Sequence, residues 1–400
     1  MSKPILPHAI TLGLISAIGL FAIDIYLPAL PEMTSDLGAE SAQAQLTLTA
    51  FFGAMALCQV FYGPVSDMAG RKRPLYFGLG LFIIGALGSA VAPSIEWLIA
   101  FRFLQGMGAY AGLVITRAIV RDLHTGPAAA ELMSRLMLVF SVSPIVAPLA
   151  GSIIVSFGDW RTIFWVMAGF AVLAIFISVF VLEETRSPEA RAQSSLGTAL
   201  AAYGTLLRDP YYLGLVLIAA FGMSSYMIYV ANSSFILIDH YGLSPTAYSV
   251  LFSINAVAFI GMSQLNGRLA RRFGLSWVIR TASVGYALSM VALAAVTSVG
   301  ITDLPVIAAM LFVGYGFLGL IIPTSSVLAL EAHGRIAGTA SALMGTIQFV
   351  TAALVVGLGA TIFDGTVAPM TEIIGLCATV VFVLTQVTLR MRQSVVAPGE

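Results

Sequence analysis

The chain has 400 residues, of which 59% are hydrophobic and only 10% are charged, with 19 basic and 19 acidic side chains and no net charge. A soluble protein of this length needs more charged residues to cover its surface, so that class is excluded. Apolar runs of about 20 residues recur along the sequence, and each can cross ~30 Å of hydrocarbon. A membrane β-barrel would show alternating segments of ~10 residues instead. We therefore predict an all-α integral membrane protein.

Twelve membrane-spanning helices are predicted. They are placed at residues 8–30, 44–65, 74–92, 96–119, 132–156, 161–182, 211–238, 245–266, 276–298, 304–330, 337–362 and 371–390. The basic residues on one side of these spans are Lys3, Arg71, Lys72, Arg73, Arg121, Arg135, Arg186, Arg191, Arg208, Arg268, Arg271, Arg272, Arg280, Arg335, Arg390 and Arg392. The segments on the other side carry only Arg161. The positive-inside rule therefore predicts that both termini are cytoplasmic.

The longest polar segment, residues 183–209, divides the spans into two groups of six. We predict an N-terminal bundle at 1–182, a cytoplasmic linker at 183–209 and a C-terminal bundle at 210–400. Within the linker, the spacing of apolar residues predicts a short helix on the membrane surface. These residues are Leu196, Leu200, Tyr203 and Leu207.

The two halves repeat weakly, because Gly267 and Gly274 follow Gly63 and Gly70 at the same offset of 204 residues. A repeat in the same orientation predicts two bundles related by an axis along the membrane normal. Transporters of this design bind substrate between their halves, near the bilayer midplane.

Asp24, within the segment 21–28 of the first span, is the only acidic residue that the sequence places well inside a predicted helix. A carboxylate at the bilayer centre costs at least ~2.5–3.5 kcal/mol. We therefore predict that Asp24 takes up and releases a proton. The alternative is an acid close to a helix end that reaches the membrane surface.

Arg102, in the fourth span, lies at a similar predicted depth, roughly 10 Å from the outer helix end. An arginine at 4–6 Å favours the ionised form of an aspartate. We hypothesise that proton or substrate binding changes an interaction between Asp24 and Arg102. A permanent structural pair is the alternative.

The segment from Gly63 to Arg73 follows the second span. We expect Gly63 and Gly70 to allow close helix approach and a sharp turn. Arg71 can reach Asp67 or Asp122, so the segment predicts a cytoplasmic latch that opens when the two halves move apart. A charged loop that only obeys the topology rule is the alternative.

Several motifs carry a family resemblance. The pattern Gly63-x-x-x-Asp67-x-x-Gly70-Arg71-Lys72 resembles the loop motif of the major facilitator superfamily, and Phe101-Arg102-x-x-Gln105-Gly106-x-Gly108 resembles its fourth-helix motif. Ser143-x-x-x-Ala147-Pro148-x-x-Gly151 resembles the fifth-helix motif of its antiporters. The segments 24–31, 117–122 and 337–343 resemble the Bcr/CflA branch of drug:proton antiporters.

The resemblance implies the major facilitator fold, with twelve helices in two six-helix bundles. It also implies export of small amphipathic drugs, such as phenicol- or bicyclomycin-like antibiotics, across the inner membrane in exchange for protons by alternating access. Three positions depart from the family pattern, namely Met68 in the loop motif and Ser143 and Ala147 in the fifth-helix motif. Pro144 and Pro148 should still bend that helix.

The second half has no counterpart of Asp24 or Arg102, because the 204-residue offset leads to Ile228 and Val306. We predict that it contributes aromatic and amide side chains to substrate binding, since such groups combine apolar area with hydrogen bonding. The predicted substrate-binding residues are Tyr26, Gln105, Tyr226, Tyr229, Asn232, Ser233 and Asn255. The alternative is that these aromatic residues only pack within their bundle.

Other functions fit the sequence less well. Proton-coupled uptake of a metabolite, or export of a metabolite or siderophore, is the alternative within transport. A membrane enzyme would need a nucleophile or metal site, but the histidines are scattered at 8, 124, 240 and 333, and Cys58 and Cys377 are lone residues in apolar spans. A channel would need a ring of charges or a filter loop. No nucleotide-binding loop occurs. We predict a monomer without cofactor, metal or nucleic acid, whose partners are substrate, protons and the lipid bilayer.

Overall fold

The computed structural model describes residues 5–123, 126–192, 196–331, 333 and 336–396. Fifteen α-helices are assigned in these residues, and α1 to α15 are Ile5–Asp24, Leu30–Asp36, Ser41–Ala69, Lys72–Ala90, Ile95–Leu123, Gly126–Phe157, Trp160–Val181, Pro188–Ala192, Leu196–Leu206, Pro210–Ser234, Pro245–Phe273, Leu275–Ser298, Leu304–Glu331, Ala337–Ile362 and Val367–Val396. A 3₁₀ turn, Leu27–Ala29, lies between α1 and α2, and a π-helical segment, Phe235–His240, follows α10.

Twelve helical segments of the described chain are long and apolar enough to cross a membrane. The first of them, His8–Asp36, combines α1, the 3₁₀ turn and α2, and the seventh, Pro210–His240, combines α10 and the π-helical segment. This result confirms the predicted all-α class and the number of spans. The orientation of the termini stays a prediction. Of the basic residues used for that prediction, Lys3 and Arg335 lie outside the described residues, and only the backbone of Arg392 is described. His124, considered above for an enzyme site, also lies outside the described residues.

The chain forms two compact units, Met1–Ala199 and Leu200–Glu400, which we call unit 1 and unit 2. The boundary between them falls within α9, the helix that occurs where the leucine and tyrosine spacing predicts one. The bundle limits predicted at residues 182 and 210, and the location of α9 on the membrane surface, stay predictions.

In unit 1, α5 is the central helix and packs most extensively against α3 and α4 and also against α1. Glycines on α5 make these contacts close. A Cβ atom added at Gly106 would lie 2.5 Å from the carbonyl oxygen of Phe51, and one added at Gly112 would lie 2.8 Å from that of Ile15. Such backbone-to-backbone approach is the usual role of small residues between membrane helices.

In unit 2, α10 packs against α13, α14 and α15, and α12 packs against α13 and α15. The α11–α12 turn contains Gly274 with φ of 84°, and the corresponding α3–α4 turn of unit 1 contains Gly70 with φ of 90°. Side chains are disfavoured in this region of φ, so glycine permits both turns. The two turns thus support the weak repeat detected in the sequence.

The first span differs from the expected continuous helix, because α1 ends at Asp24 and a 3₁₀ turn follows it. Pro28 lies in that turn. Proline lacks a backbone N–H and also restricts the residue before it, so Pro28 favours the end of the regular helix before this position. Asp24 is therefore the last residue of a helix that ends inside the span, not a residue several positions before the helix end.

Candidate functional site

Asp24 is buried in unit 1, with 6% of its surface exposed. Its carboxyl group has no hydrogen bond or ion pair with any described residue. Removal from water is therefore the main effect of the protein on this group. No nitrogen of Arg102 lies within 4.0 Å of it, so the expected direct pair of Asp24 with Arg102 is not formed in this structure. Among the described residues, the Asp24 carboxyl group is thus buried without a charged partner.

Arg102 on α5 is fully buried. Its Nη1 donates to Oε1 of Gln105 over 2.7 Å, and its Nη2 donates to the carbonyl oxygen of Ala22 over 3.1 Å. The guanidinium carbon lies 4.2 Å from the ring centroid of Tyr26 and 4.3 Å from that of Phe51. Aromatic faces attract a cation at this distance. We call Arg102, Gln105, Tyr26 and Phe51 the buried arginine site.

The buried arginine site contacts the chain on both sides of Asp24. Ala22 lies in the last turn of α1, where backbone carbonyls lack helical partners, so the bond from Arg102 satisfies one of them. Tyr26 follows Asp24 by two residues, and its hydroxyl group lies 3.2 Å from Oγ1 of Thr47. Arg102 thus acts on the backbone and the ring beside Asp24 and not on its carboxylate.

Three contributors to this site were not predicted. Phe51 on α3 and Phe164 on α7 face the guanidinium group, and Sδ of Met167 lies 3.8 Å from Nε2 of Gln105. Apolar residues on a membrane helix give no sequence signal that distinguishes a cation contact from ordinary packing.

Unit 2 contains a group of stacked rings, Tyr226 and Tyr229 on α10, Phe252 on α11 and Tyr315 on α13, which we call the aromatic cluster. The rings of Tyr229 and Phe252 are stacked with centroids 5.5 Å apart, and those of Tyr226 and Tyr315 meet edge to face at 5.5 Å. Offset stacking and edge-to-face contacts are the preferred arrangements of aromatic pairs.

Asn255 on α11 joins this cluster through its side-chain amide. Its Nδ2 donates to the hydroxyl oxygen of Tyr229 over 2.9 Å, while its buried Oδ1 accepts no hydrogen bond from a described residue. Ser233 lies 3.1 Å from the hydroxyl group of Tyr248, and together Tyr229, Ser233 and Asn255 line one small cavity within unit 2.

The predicted binding residues differ in their contacts and in their burial. Asn232 donates from Nδ2 to the carbonyl oxygen of Ile228 in its own helix over 2.8 Å. Tyr26 and Gln105 surround Arg102 instead of forming a separate polar surface. Tyr226 is half-buried, whereas Tyr229 is almost completely buried.

The predicted cytoplasmic latch centres on Arg71, which is 3% exposed. Its Nε donates to Oδ2 of Asp122 over 2.7 Å, and its Nη1 donates to Oδ1 of Asp67 over 2.7 Å and to Oγ of Ser66 over 2.8 Å. Burial alone would lower the pKa of Arg71, but the bonds and charges of Asp122 and Asp67 outweigh it and raise that pKa. The structure therefore brings together Asp67, Arg71 and Asp122 of the predicted latch, and its opening when the halves move apart stays a prediction.

Glu184, a residue that the sequence did not identify, completes this cluster. It accepts the backbone N–H groups of Arg71 over 2.9 Å and Lys72 over 3.2 Å, and so caps the start of α4. Burial would raise the pKa of Glu184, but the N–H groups of Arg71, Arg186 and Lys72 and the charge of Arg191 lower it overall. Lys72 in turn donates to the carbonyl oxygen of Leu182 at the end of α7 over 2.8 Å.

The two glycines of the latch motif differ. Gly70 has the positive φ required by the turn, and a Cβ atom added there would lie 2.6 Å from Oε2 of Glu184. A Cβ atom at Gly63 would meet nothing within 4 Å. The expectation of close helix approach at Gly63 is therefore wrong, and Gly63 supplies only a carbonyl oxygen, which accepts from Ser66.

The fifth-helix motif lies on α6, which continues through Pro144 and Pro148. Gly151 of this motif contacts the first span directly, because a Cβ atom added there would overlap the carbonyl oxygen of Ile25. Ile25 is the residue after Asp24. Gly151 therefore allows α6 to pack against the end of α1.

Comparisons with known proteins agree with this geometry. Residues 12–356 match the model of the Major Facilitator Superfamily. A "Bicyclomycin resistance protein homolog" from Haemophilus influenzae is 32% identical over 376 residues, 93% of each chain, and the "Multidrug resistance protein MdtL" of Klebsiella pneumoniae subsp. pneumoniae is 29% identical over 367 residues, 90% of each chain.

A bacterial homologue of the human lysosomal transporter Spinster, solved in an inward-facing and occupied conformation, has a similar fold with a TM-score of 0.77. The match covers 98% of both chains at 14% sequence identity, and at this identity the likeness concerns the fold alone.

Proposed function

The chain belongs to the major facilitator superfamily, and from this premise we propose that it exports small amphipathic drugs, including antibiotics, in exchange for protons. It is a transporter and not an enzyme, and it is a multi-pass protein of the bacterial inner membrane. The resemblance of its motifs to the Bcr/CflA branch agrees with the names of its relatives, which refer to bicyclomycin and multidrug resistance.

Asp24 is the observation that carries the proposal. A buried carboxyl group without a partner among the described residues is costly to keep, and acids within membrane spans commonly mark proton or ion pathways. In this mechanism Asp24 binds a proton when it is open to the outside. It releases that proton to the cytoplasm before the protein returns with substrate.

Arg102 positions this acid. Because it binds the backbone of Ala22 and the ring of Tyr26, movement of α5 relative to α1 changes the surroundings of Asp24 without breaking an ion pair. A nearby positive charge also stabilises the ionised form of the acid. Arg102 thus favours proton release whenever the motion brings its guanidinium group closer to Asp24.

The aromatic cluster, with Ser233 and Asn255, supplies the substrate-binding surface in this proposal. The half-buried ring of Tyr226 offers apolar area to a drug, and the buried rings of Tyr229, Phe252 and Tyr315 support it from within the unit. Asn255 Oδ1, beside the small cavity at Tyr229, can accept a hydrogen bond from a ligand N–H or O–H group. A few polar groups in an apolar surface suit amphipathic compounds of moderate polarity.

The test is substrate-dependent proton movement in proteoliposomes, with neutral, cationic and anionic drugs as separate substrates. The wild-type protein should move protons only when a transported drug is present on the opposite side. Asp24→Asn should lose this coupled movement while it keeps the wild-type melting temperature in detergent. Coupled exchange by Asp24→Asn at the wild-type rate would exclude Asp24 as the proton carrier.

The same vesicles test the alternative functions. Accumulation of a metabolite with the proton gradient would indicate uptake, and outward movement of a metabolite or siderophore but of no drug would indicate an export carrier of that kind. Exchange driven by a sodium gradient alone would exclude protons as the coupling ion.

A further inference from the structure

The α3–α4 turn of unit 1 and the α11–α12 turn of unit 2 are equivalent by sequence offset and by backbone conformation. Each contains a glycine with positive φ, at Gly70 and Gly274, and each is followed at once by the next membrane helix. Both turns are rich in basic residues. The partners of those residues, however, are different in the two units.

In unit 1 the basic residues of the turn are largely used within the unit. Arg71 pairs with Asp67 and Asp122, and Lys72 donates to the carbonyl oxygen of Leu182. Arg73 is exposed and has no carboxylate partner among the described residues. The turn therefore offers one uncompensated arginine.

In unit 2 the turn carries four arginines, which are Arg268, Arg271, Arg272 and Arg280. All four are exposed, and none forms an ion pair with a carboxylate of the described residues. The segment from 267 to 280 contains no acidic residue that could compensate them. This turn thus concentrates uncompensated positive charge at the end of two membrane helices.

Two aromatic side chains lie among these arginines. Phe273 and Trp277 stack across the turn with ring centroids 4.4 Å apart, and they are 43% and 47% exposed. The guanidinium carbon of Arg272 lies 5.1 Å from the ring centroid of Phe273. Exposed tryptophan at a helix end is typical of the level of lipid headgroups. We call the four arginines with Phe273 and Trp277 the basic turn.

The helix dipole explains only part of this arrangement. Arg271 and Arg272 lie in the last turn of α11, where a cation stabilises the carbonyl end of the helix. Arg280 lies in the second turn of α12, near the end of that helix at which the dipole disfavours a cation. The positive-inside rule accounts for the sign of these charges, but not for their grouping around the stacked pair of Phe273 and Trp277, which favours an external anion at the membrane surface.

We propose that the basic turn binds an anionic glycerophospholipid. Guanidinium groups bind a phosphate through paired N–H···O bonds, and clusters of four or more basic residues beside a membrane helix attract anionic lipid. The aromatic pair then packs against the glycerol and the first methylene groups. This site is independent of Asp24 and of the transport cycle proposed above.

Native mass spectrometry of the full-length protein tests the site, with dioleoyl phosphatidylglycerol as the probe and dioleoyl phosphatidylcholine as its uncharged counterpart with the same acyl chains. We expect wild-type protein to bind the anionic lipid at least about tenfold more tightly than the zwitterionic one at low salt, because each basic group near an anionic phosphate contributes about fivefold. This preference should decline as salt screens the charges.

The diagnostic variant is R268Q/R271Q/R272Q/R280Q, which should lose the preference. R268K/R271K/R272K/R280K retains the charges that direct membrane insertion and should retain most of the preference. F273A/W277A should weaken binding of both lipids, and R73Q, in the equivalent turn of unit 1, should bind like wild type. The double variant R271Q/R272Q, with two arginines left, should be intermediate and keeps the site testable if the fourfold glutamine variant is unstable.

Two results would overturn the proposal. One is an unchanged lipid preference in R271Q/R272Q and in the fourfold glutamine variant. The other is displacement of the lipid by glycerol 3-phosphate at equal concentration, because the basic turn would then be a site for soluble phosphates and not for a membrane lipid.

Discussion

The two units bury polar side chains in different ways. The buried polar residues of unit 1 include three with acidic or basic side chains, Asp24, Arg71 and Arg102. In the described part of unit 2 the buried polar side chains are serine, threonine and asparagine, and none is charged. Two bundles with the same helix order and the same glycine turns therefore differ, since among the described residues only unit 1 buries acidic and basic side chains.

Energetics explains why this difference is informative. Burying a charged group costs several kcal/mol before any partner compensates it, so charge is not needed to make such a bundle stable. Unit 2 illustrates the point, because its described interior is held by neutral contacts such as the hydrogen bond from Tyr286 to Ser225. We infer that the charges of unit 1 serve coupling and that the neutral groups of unit 2 serve packing and ligand binding.

Replacing Arg102 by methionine should have the largest effect on this comparison. Arg102→Met makes the interior of unit 1 resemble that of unit 2 with a side chain of similar length. The variant loses the hydrogen bonds to Gln105 and Ala22, which lowers the free energy of unfolding, but it also removes a buried charge, which raises it. Each effect is about 1–4 kcal/mol, so the melting temperature should change little. Coupled exchange in proteoliposomes should fall to the background of protein-free vesicles.

Arg102→Lys is the control, because lysine keeps the positive charge but lacks the planar guanidinium group with its several N–H donors. We expect it to exchange more drug for protons than Arg102→Met does, but less than the wild type. An Arg102→Met protein that exchanges drug for protons as wild type does would show that buried charge in unit 1 has no role in coupling. The contrast between the units would then be structural only.

Gly151→Ala should have the next largest effect, because it acts on the contact between α6 and the break in the first span. The added Cβ atom would overlap the backbone of Ile25, which cannot move aside as a side chain would. Overpacking of this kind costs about 1–3 kcal/mol, so both the melting temperature and the exchange rate should fall.

Gly169→Ala on α7 of the same unit is the matched control. Its Cβ atom would meet nothing within 4 Å, and alanine favours a helix by about 1 kcal/mol over glycine. We expect equal or higher stability and unchanged exchange for this variant. Equal losses in Gly151→Ala and Gly169→Ala would mean that the close contact at Ile25 is unimportant.

Tyr229→Phe probes the neutral interior of unit 2 and should have a smaller effect on coupling. It removes the hydroxyl oxygen that accepts from Asn255, and a buried donor without a partner costs about 1–3 kcal/mol. We expect a lower melting temperature and a changed apparent affinity for drugs, but the same pH dependence of exchange.

Adding Asn255→Leu to Tyr229→Phe removes both partners of the hydrogen bond and should recover part of the stability, which a double-mutant cycle measures. A shifted pH dependence in Tyr229→Phe would place part of the coupling in unit 2.

The comparison also shows what the sequence could predict. Long apolar runs determine the twelve spans, and the spacing of Gly70, Arg71 and Asp67 was sufficient to predict their contact, because these patterns depend on local chain geometry. The partners of Arg102 could not be predicted in this way. They are a backbone carbonyl and two aromatic rings on other helices, and neither a carbonyl nor a packed phenylalanine differs in sequence from its neighbours.

The smallest effect concerns the capping of α4 by Glu184, for which the basic turn of unit 2 has no equivalent among the described contacts. The pKa of Glu184 is lowered from its ordinary value of 4.5, so its stabilising contribution is complete above that pH and disappears as the pH falls through the lower folded value.

Glu184→Gln keeps one acceptor but loses the charge, and it should lower stability by about 1 kcal/mol at neutral pH. The difference from wild type should shrink below pH 4.5. Thermal melting between neutral pH and pH 3 measures this, with the exposed Glu331 changed to glutamine as the control, since that carboxylate has no hydrogen bond or ion pair with a described residue. A difference between wild type and Glu184→Gln that stayed constant with pH would show that the cap depends on shape and not on charge.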